Sequence, residues 1–193
     1  MSSPRLVLAS TSPYRRELLS RLGVPFDVQS PGVDETPRPG EPPMELATRL
    51  AIAKARAVRI TEPAVIIGSD QVAMLDGMKL GKPGNRETAV HQLTAASGRT
   101  VEFHTALCVR STVDERESVA LDTTRVTFRP LDRDTIERYV DIEKPFDCAG
   151  SAKSEGLGIT LLTAIETMDP TGLVGLPLIL LTSLLAQHGI RVP

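Results

Sequence analysis

The sequence predicts an α/β fold, a mixed and twisted central sheet with flanking helices. Short apolar runs such as Arg5 to Ala9 and Ala64 to Gly68 alternate with segments of helical period. Two later segments, Val101 to Arg110 and Ser118 to Phe128, alternate like partly exposed strands around the charged turn Asp114 to Glu117, so the sheet reads as mixed. With 193 residues, 41% of them hydrophobic, the chain suits one large domain or two closely packed lobes.

Each element has its own signal. Arg5 to Ala9 reads as a short buried strand, followed by a hydroxyl-rich turn of Ser10, Thr11 and Ser12. Ser12 suits the cap of a helix, and Pro13 stands at its first residue, where a missing N–H costs nothing. Leu18, Leu19 and Leu22 keep helical spacing until Gly23 stops it. Phe26 to Ser30 reads as a second strand, and Pro37, Pro39, Pro42 and Pro43 mark a loop. A longer helix is expected from Pro43 to Ile60, with Leu46, Leu50, Ala53 and Ala57 on one face. Ala64 to Gly68 is the clearest buried strand and is expected to end in Ser69, Asp70 and Gln71. A hairpin turns at Asp76-Gly77, and helices cover Arg86 to Ala96 and Asp132 to Val140. A Gly-rich loop spans Cys148 to Gly158, and the apolar segment ending at His188 and Gly189 closes the chain as a helix.

Composition excludes several function classes. A net charge of −2 and a pI near 6.0 argue against bulk capture of a nucleic acid polymer. The richest apolar run, Leu176 to Leu185, is too short for a bilayer span, so no membrane partner is expected. The amino-terminal stretch turns polar where a signal peptide stays apolar. Cys108 and Cys148 make neither a disulfide framework nor a zinc site, which fits a reducing cytoplasm. His91, His104 and His188 lack metal-ligand spacing. The basic lean of the first sixty residues and the acidic lean of residues 111–170 could face each other across a cleft, but the bulk of these charges read as solvated helix faces. With aromatics at 3% and no Trp, the core must be aliphatic.

A few places could carry chemistry. At Ser10 to Arg16 a helix N-terminus, three hydroxyls and the forked donors of Arg15 and Arg16 could cradle phosphate, or form an ordinary capped helix with surface arginines. Asp70, directly after a buried strand, stands where open α/β sheets bind ligands, and Asp34 and Glu35 follow another strand closely. Carboxylates converging there could hold Mg²⁺ or Mn²⁺, share the activation of water, or merely cap turns. Lys82, between Gly81 and Pro83, could place a point charge on a phosphate. The turn Cys148 to Gly156 brings Lys153 and Glu155 toward a possible ligand. Lys54 reads as a snorkelling residue on a largely apolar helix face.

Taken together, Leu8-Ala9-Ser10-Thr11-Ser12-Pro13 with Arg15-Arg16, Val33-Asp34-Glu35-Thr36, Ile67-Gly68-Ser69-Asp70-Gln71, Gly81-Lys82-Pro83 and Cys148-Ala149-Gly150-Ser151 resemble the Maf family of nucleoside triphosphate pyrophosphatases, historically called septum formation inhibitors. The resemblance runs nearly end to end and implies a single domain over residues 1–193. That domain would have two lobes around a nucleotide-binding cleft, as in inosine-triphosphatase-like folds, and a divalent cation as cofactor. By motif, Asp70 resembles the general base for water, Glu35 a metal or catalytic carboxylate, and Ser10, Arg15, Lys54 and Lys82 triphosphate contacts. Asp70 and Glu35 would be the metal ligands. Tyr14, Gln71 and Glu155 resemble the subgroup acting on 7-methylguanosine triphosphate, whereas the dTTP and UTP subgroup carries Arg, Thr and Gln there. The former subgroup often has Trp where Tyr14 stands. N7-methylation makes guanine cationic, which favours an aromatic ring and a nearby carboxylate; Glu155 could alternatively accept from the N1–H and N2 amino edge. The implied partner is a small-molecule nucleotide, and a homodimer is left open. A nucleotide-binding regulator of cell division is the other reading the family name suggests.

Overall fold

The computed structural model describes residues 4–192. Its strands are β1 (Arg5–Ala9), β2 (Asp27–Gln29), β3 (Ala64–Leu75), β4 (Met78–Leu80), β5 (Thr100–Ser111), β6 (Glu117–Phe128) and β7 (Leu162–Glu166). Its α-helices are α1 (Pro13–Ser20), α2 (Pro43–Ala57), α3 (Arg86–Ala96), α4 (Arg133–Glu143) and α5 (Leu178–Gln187). The strands pair in the order β2-β1-β3-β5-β6-β7, and β4 pairs with β3. β1 is parallel to β2 and β3, whereas β3–β4 and β6–β7 are antiparallel, so the sheet is mixed as expected.

Several local expectations need correction. β3 does not end at Gly68 but continues through Ser69, Asp70 and Gln71 to the hairpin, so Asp70 is inside a strand rather than after one. The parallel ladder with β1 does stop there, its last pair being Ala9 with Gly68, so Asp70 still lies beyond the carboxyl end of β1. α2 stops at Ala57 because Val58 turns to extended backbone and is itself buried. Its buried stripe is Leu46, Ala47, Leu50, Ala51, Lys54 and Ala55, not the Ala53–Ala57 line, and Lys54 continues that stripe instead of snorkelling. β7 is an added strand within the stretch after the Gly-rich loop; four of its five residues are exposed, so it carries no apolar face to signal it.

The chain forms two compact units. The first comprises Met1–Gln71, Thr105–Asp122 and Asp169–Pro193; the second comprises Val72–His104 and Thr123–Met168. In the first, Leu6 and Leu8 of β1, Val65 and Ile67 of β3, and Leu107 and Val109 of β5 point to one face. They pack with Leu18 and Leu19 of α1 and Leu181, Leu184 and Leu185 of α5. Strand alternation sends Ile66, Gly68 and Asp70 to the other face, where α2 lies against Gly68. In the second unit, α3 and α4 pack together, each capped at its start by a side chain: Asn85 accepts from the Thr88 N–H at 2.9 Å and Asp132 from the Thr135 N–H at 2.7 Å. Asp76 and Gly77 both have positive φ, as a tight two-residue hairpin turn demands. Among the described residues no helix is long and apolar enough to cross a membrane.

Candidate active site

The hydroxyl turn and α1 form as expected. Ser12 accepts from the Arg15 N–H at 3.3 Å, capping the helix, while Ser10, nearly fully buried, accepts from the Ser12 N–H at 3.0 Å. Tyr14 stands in the first turn of α1, half-buried; Arg16 is exposed. The half-buried Arg15 reaches back into the first unit, where its Nε donates to the Gly175 carbonyl at 2.8 Å. Burial lowers its pKa, and the charges of Asp70 and Glu35 oppose that shift.

On the α2 face of β3, three charged groups meet. The Lys54 ammonium lies 2.6 Å from Asp70 Oδ1 and 2.6 Å from Glu35 Oε1. Lys54 and Asp70 are buried; Glu35 is more than half exposed, on a segment without helix or strand. Burial pushes the Asp70 carboxyl above its ordinary range, Lys54 and Arg15 pull it back, and Glu35 adds to the rise. Asp34, the neighbour of Glu35, takes another job: its Oδ1 accepts from the Thr36 N–H at 2.9 Å and hydroxyl at 2.7 Å, which holds its pKa low.

The opposite face of β3 is tied to the loop before α5. The Ser69 hydroxyl donates to the Gly175 carbonyl at 3.0 Å. Gln71 Nε2 lies 2.9 Å from Thr105 Oγ1 and 3.0 Å from the carbonyls of both Gly172 and Leu173. Since Thr105 spends its own hydrogen on the Gly172 carbonyl at 3.0 Å, it accepts from Gln71, and the amide orientation is fixed. Oε1 is therefore the acceptor end of Gln71. Thr105 and the Gly172–Gly175 carbonyls carry no sequence motif, although the Pro170 and Gly172 punctuation marks the loop.

Lys82 and Glu155 belong to the second unit, and both are exposed. Gln92 braces the Lys82 segment: its Nε2 donates to the Gly81 carbonyl at 3.1 Å, and its Oε1 accepts from Ser151 at 2.6 Å. The Cys148–Ser151 motif is thus a brace for the Gly81-Lys82 turn. Glu155 sits on a turn held by Glu143, which accepts from the Leu157 N–H at 2.7 Å and pairs with Lys153 at 3.2 Å. Neither Gln92 nor Glu143 has a sequence signature. His104 and His188 hydrogen-bond to Thr123 at 3.1 Å and to Ser118 at 3.0 Å, respectively. A groove of about 400 Å³ lined by Arg5, Asp27, Arg59 and Glu62 contains none of the candidate residues.

The Maf-like protein family model matches residues 5–188. The chain belongs to the Maf family. Its relatives within that family include proteins named 7-methyl-GTP pyrophosphatase. One from Xanthomonas oryzae pv. oryzae (strain MAFF 311018) is 59% identical over 98% of this chain and 100% of its own. One from Burkholderia thailandensis is 56% identical over 97% of this chain and 89% of its own. One from Vibrio vulnificus (strain CMCP6) is 51% identical over 100% of this chain and 99% of its own.

Proposed function

We propose that this Maf protein hydrolyses 7-methyl-GTP to the nucleoside monophosphate and pyrophosphate, residues 1–193 working as one catalytic domain that removes a modified nucleotide. The observation that carries the chemistry is the Glu35–Lys54–Asp70 cluster, in which two carboxylate oxygens converge on one cation at 2.6 Å each. That convergence also fits a divalent metal. Both donors are hard oxygens, and among the described residues no group of three or more His, Cys, Asp or Glu side chains gathers to hold an ion. The triphosphate and water would therefore supply the remaining ligands of Mg²⁺ or Mn²⁺. When bound, that ion neutralises charge on the phosphates.

The chain's own residues do the rest. Asp70, buried and with its pKa raised, accepts a proton from water as the water oxygen bonds to the α-phosphorus. The bond from the α-phosphorus to the α–β bridging oxygen breaks, and pyrophosphate leaves. Lys54 and Arg15 balance charge on the triphosphate, as preorganised donors do in such sites, and Lys82 is assigned a further phosphate charge by its motif alone. Arg15 keeps its guanidinium fork aimed because Gly175 already holds Nε. Ser10 adds a hydroxyl beside the N-terminus of α1. Tyr14 suits a cationic purine and Gln71 offers it an acceptor, while Glu155 is assigned to the base by its motif alone.

A panel of 7-methyl-GTP, GTP, UTP and dTTP with Mg²⁺ or Mn²⁺, scored for pyrophosphate, tests the reading. Turnover fastest on 7-methyl-GTP is expected, lost in a folded Asp70→Asn variant and less selective in Glu155→Gln. A preference for UTP and dTTP would overturn the base assignment. Tight nucleotide binding without turnover would make the protein a regulator instead.

A further inference from the structure

The segment that carries Glu35 has no regular structure from residue 30 to residue 38, so no ladder of backbone bonds holds it in place. What crosses it is Arg49. The guanidinium grips Glu41 with both arms, Nε to Oε1 at 2.5 Å and Nη2 to Oε2 at 2.8 Å, and Nη2 also donates to the Thr36 carbonyl at 3.2 Å. Glu41 Oε2 in turn accepts from the Arg38 N–H at 3.0 Å, closing the loop on itself. This is not an ordinary surface ion pair. The Glu41 side chain is 7% exposed and that of Arg49 23%, and the fork holds Glu41 at a pKa of about 2.

Arg49 and Lys54 belong to the same helix, α2. Lys54 holds Glu35 by its carboxylate, and Arg49 holds the next residue by its carbonyl. The two grips differ in one respect. Phosphate oxygens would compete for the Lys54 ammonium, whereas Glu41 and the Thr36 carbonyl are not part of the Glu35–Lys54–Asp70 cluster.

We propose that Arg49 is a positioning residue that keeps the Glu35 carboxylate beside Asp70 when Lys54 turns to the triphosphate. The inference rests on Glu35 serving the reaction as proposed above. The Arg49 guanidinium bonds to Glu41 and to the Thr36 carbonyl, so it acts by fixing the backbone at Thr36. A lysine cannot replace it, because one ammonium cannot span the fork of Glu41 and the Thr36 carbonyl together.

The test uses the full chain with 7-methyl-GTP and Mn²⁺. Arg49→Met and Arg49→Lys are each expected to raise the Mn²⁺ concentration for half-activation about tenfold, the size of one lost charged bond. Mn²⁺ binding followed by electron paramagnetic resonance should weaken by the same factor, while the nucleotide KM at saturating Mn²⁺ moves less than about twofold. In a Glu35→Gln background, Arg49→Met should add less than about a further twofold, because the group it positions is gone. Should the Arg49 variants fail to fold, Glu41→Gln must show the same shift in milder form. A lowered melting temperature with unchanged Mn²⁺ dependence overturns the proposal, as does an equal loss in the Glu35→Gln background. If Glu35→Gln alone leaves metal dependence and turnover intact, the role of Glu35 itself fails, and the Arg49 proposal falls with it.

Discussion

Gly68 and Ala51 meet backbone to backbone. A Cβ on Gly68 would lie 2.7 Å from the Ala55 nitrogen and closer still to the Ala51 carbonyl oxygen, so α2 rests directly on β3. Asp70 follows two residues along that strand on the same face, and Lys54 follows three residues along that helix. The close approach at Gly68 therefore sets the height from which the Lys54 ammonium reaches Asp70 at 2.6 Å.

Gly68→Ala should accordingly damage stability and chemistry together. The added methyl meets backbone, which cannot swing aside, so α2 must lift. Overpacking of this kind costs about 1–3 kcal/mol. Displacing a catalytic group by about 1 Å costs about a hundredfold in rate. A thermal melt and a pyrophosphate assay read both effects. Full activity at an unchanged melting temperature would mean that α2 has slack at this contact.

The raised Asp70 pKa makes a prediction for the metal-free protein. Burial is the main cause, opposed by Lys54 and Arg15 and reinforced by Glu35. A carboxyl whose folded pKa exceeds its unfolded value of about 3.9 binds its proton more tightly when native. Between the two values the native state holds more protons than the unfolded one, so stability falls as pH rises. Asp70→Asn lacks that proton. Its melting temperature should therefore gain on the wild type as pH rises from about 4, levelling once Asp70 is ionised in both states. A difference that stays flat over this range would refute the shift.

How far this site is legible in the sequence depends on the kind of signal each residue leaves. The cap at Ser12, the hairpin at Asp76-Gly77 and most element positions follow from local patterns, and the structure agrees. Ser69, Asp70 and Gln71 read as the end of a strand because three polar residues follow a buried apolar run. They stay inside β3 because each finds a partner far away in sequence: the Gly175 carbonyl, Lys54 and Thr105. Lys54 reads as a surface lysine for the same reason, since helical spacing alone does not tell that two carboxylates wait on that face. Arg49, Gln92 and Glu143 leave no trace at all, because they act through backbone carbonyls and amides rather than through a motif.

The two cysteines should differ sharply in reactivity. Cys108 lies within β5 with no exposed surface, and burial pushes its thiol up to about 12. Cys148 is half-buried, at the start of the turn that carries Ser151. The thiolate is the reactive form, so at neutral pH a thiol reagent should label Cys148 alone in the native protein. Denaturation should release the second equivalent. Labelling of Cys108 at the native rate of Cys148 would show that the strand opens far more readily than its burial allows.

Asp169 holds the loop on which Arg15 and Gln71 depend, and it does so as a displaced helix cap. Pro177, which flanks α5, offers no side-chain cap. Asp169, with 1% exposure, instead accepts from the Ile179 N–H at 2.7 Å and the Leu180 N–H at 3.2 Å through Oδ2. Its Oδ1 accepts from the Thr171 hydroxyl at 2.8 Å and N–H at 3.2 Å. Asp169→Asn keeps the shape but must turn an amide N–H toward donors on one side or the other, and it removes the negative charge that the α5 N-terminus favours. The loss should be about 1–3 kcal/mol, read as a melting temperature lower by about 3–10 °C. Because the same loop presents the Gly175 carbonyl to Arg15, the nucleotide KM should rise as well, at a temperature where the variant is fully folded. A normal melt would show that the Asp169 contacts contribute little. A lowered melt with an unchanged KM would instead detach the loop from Arg15 and confine Asp169 to capping α5.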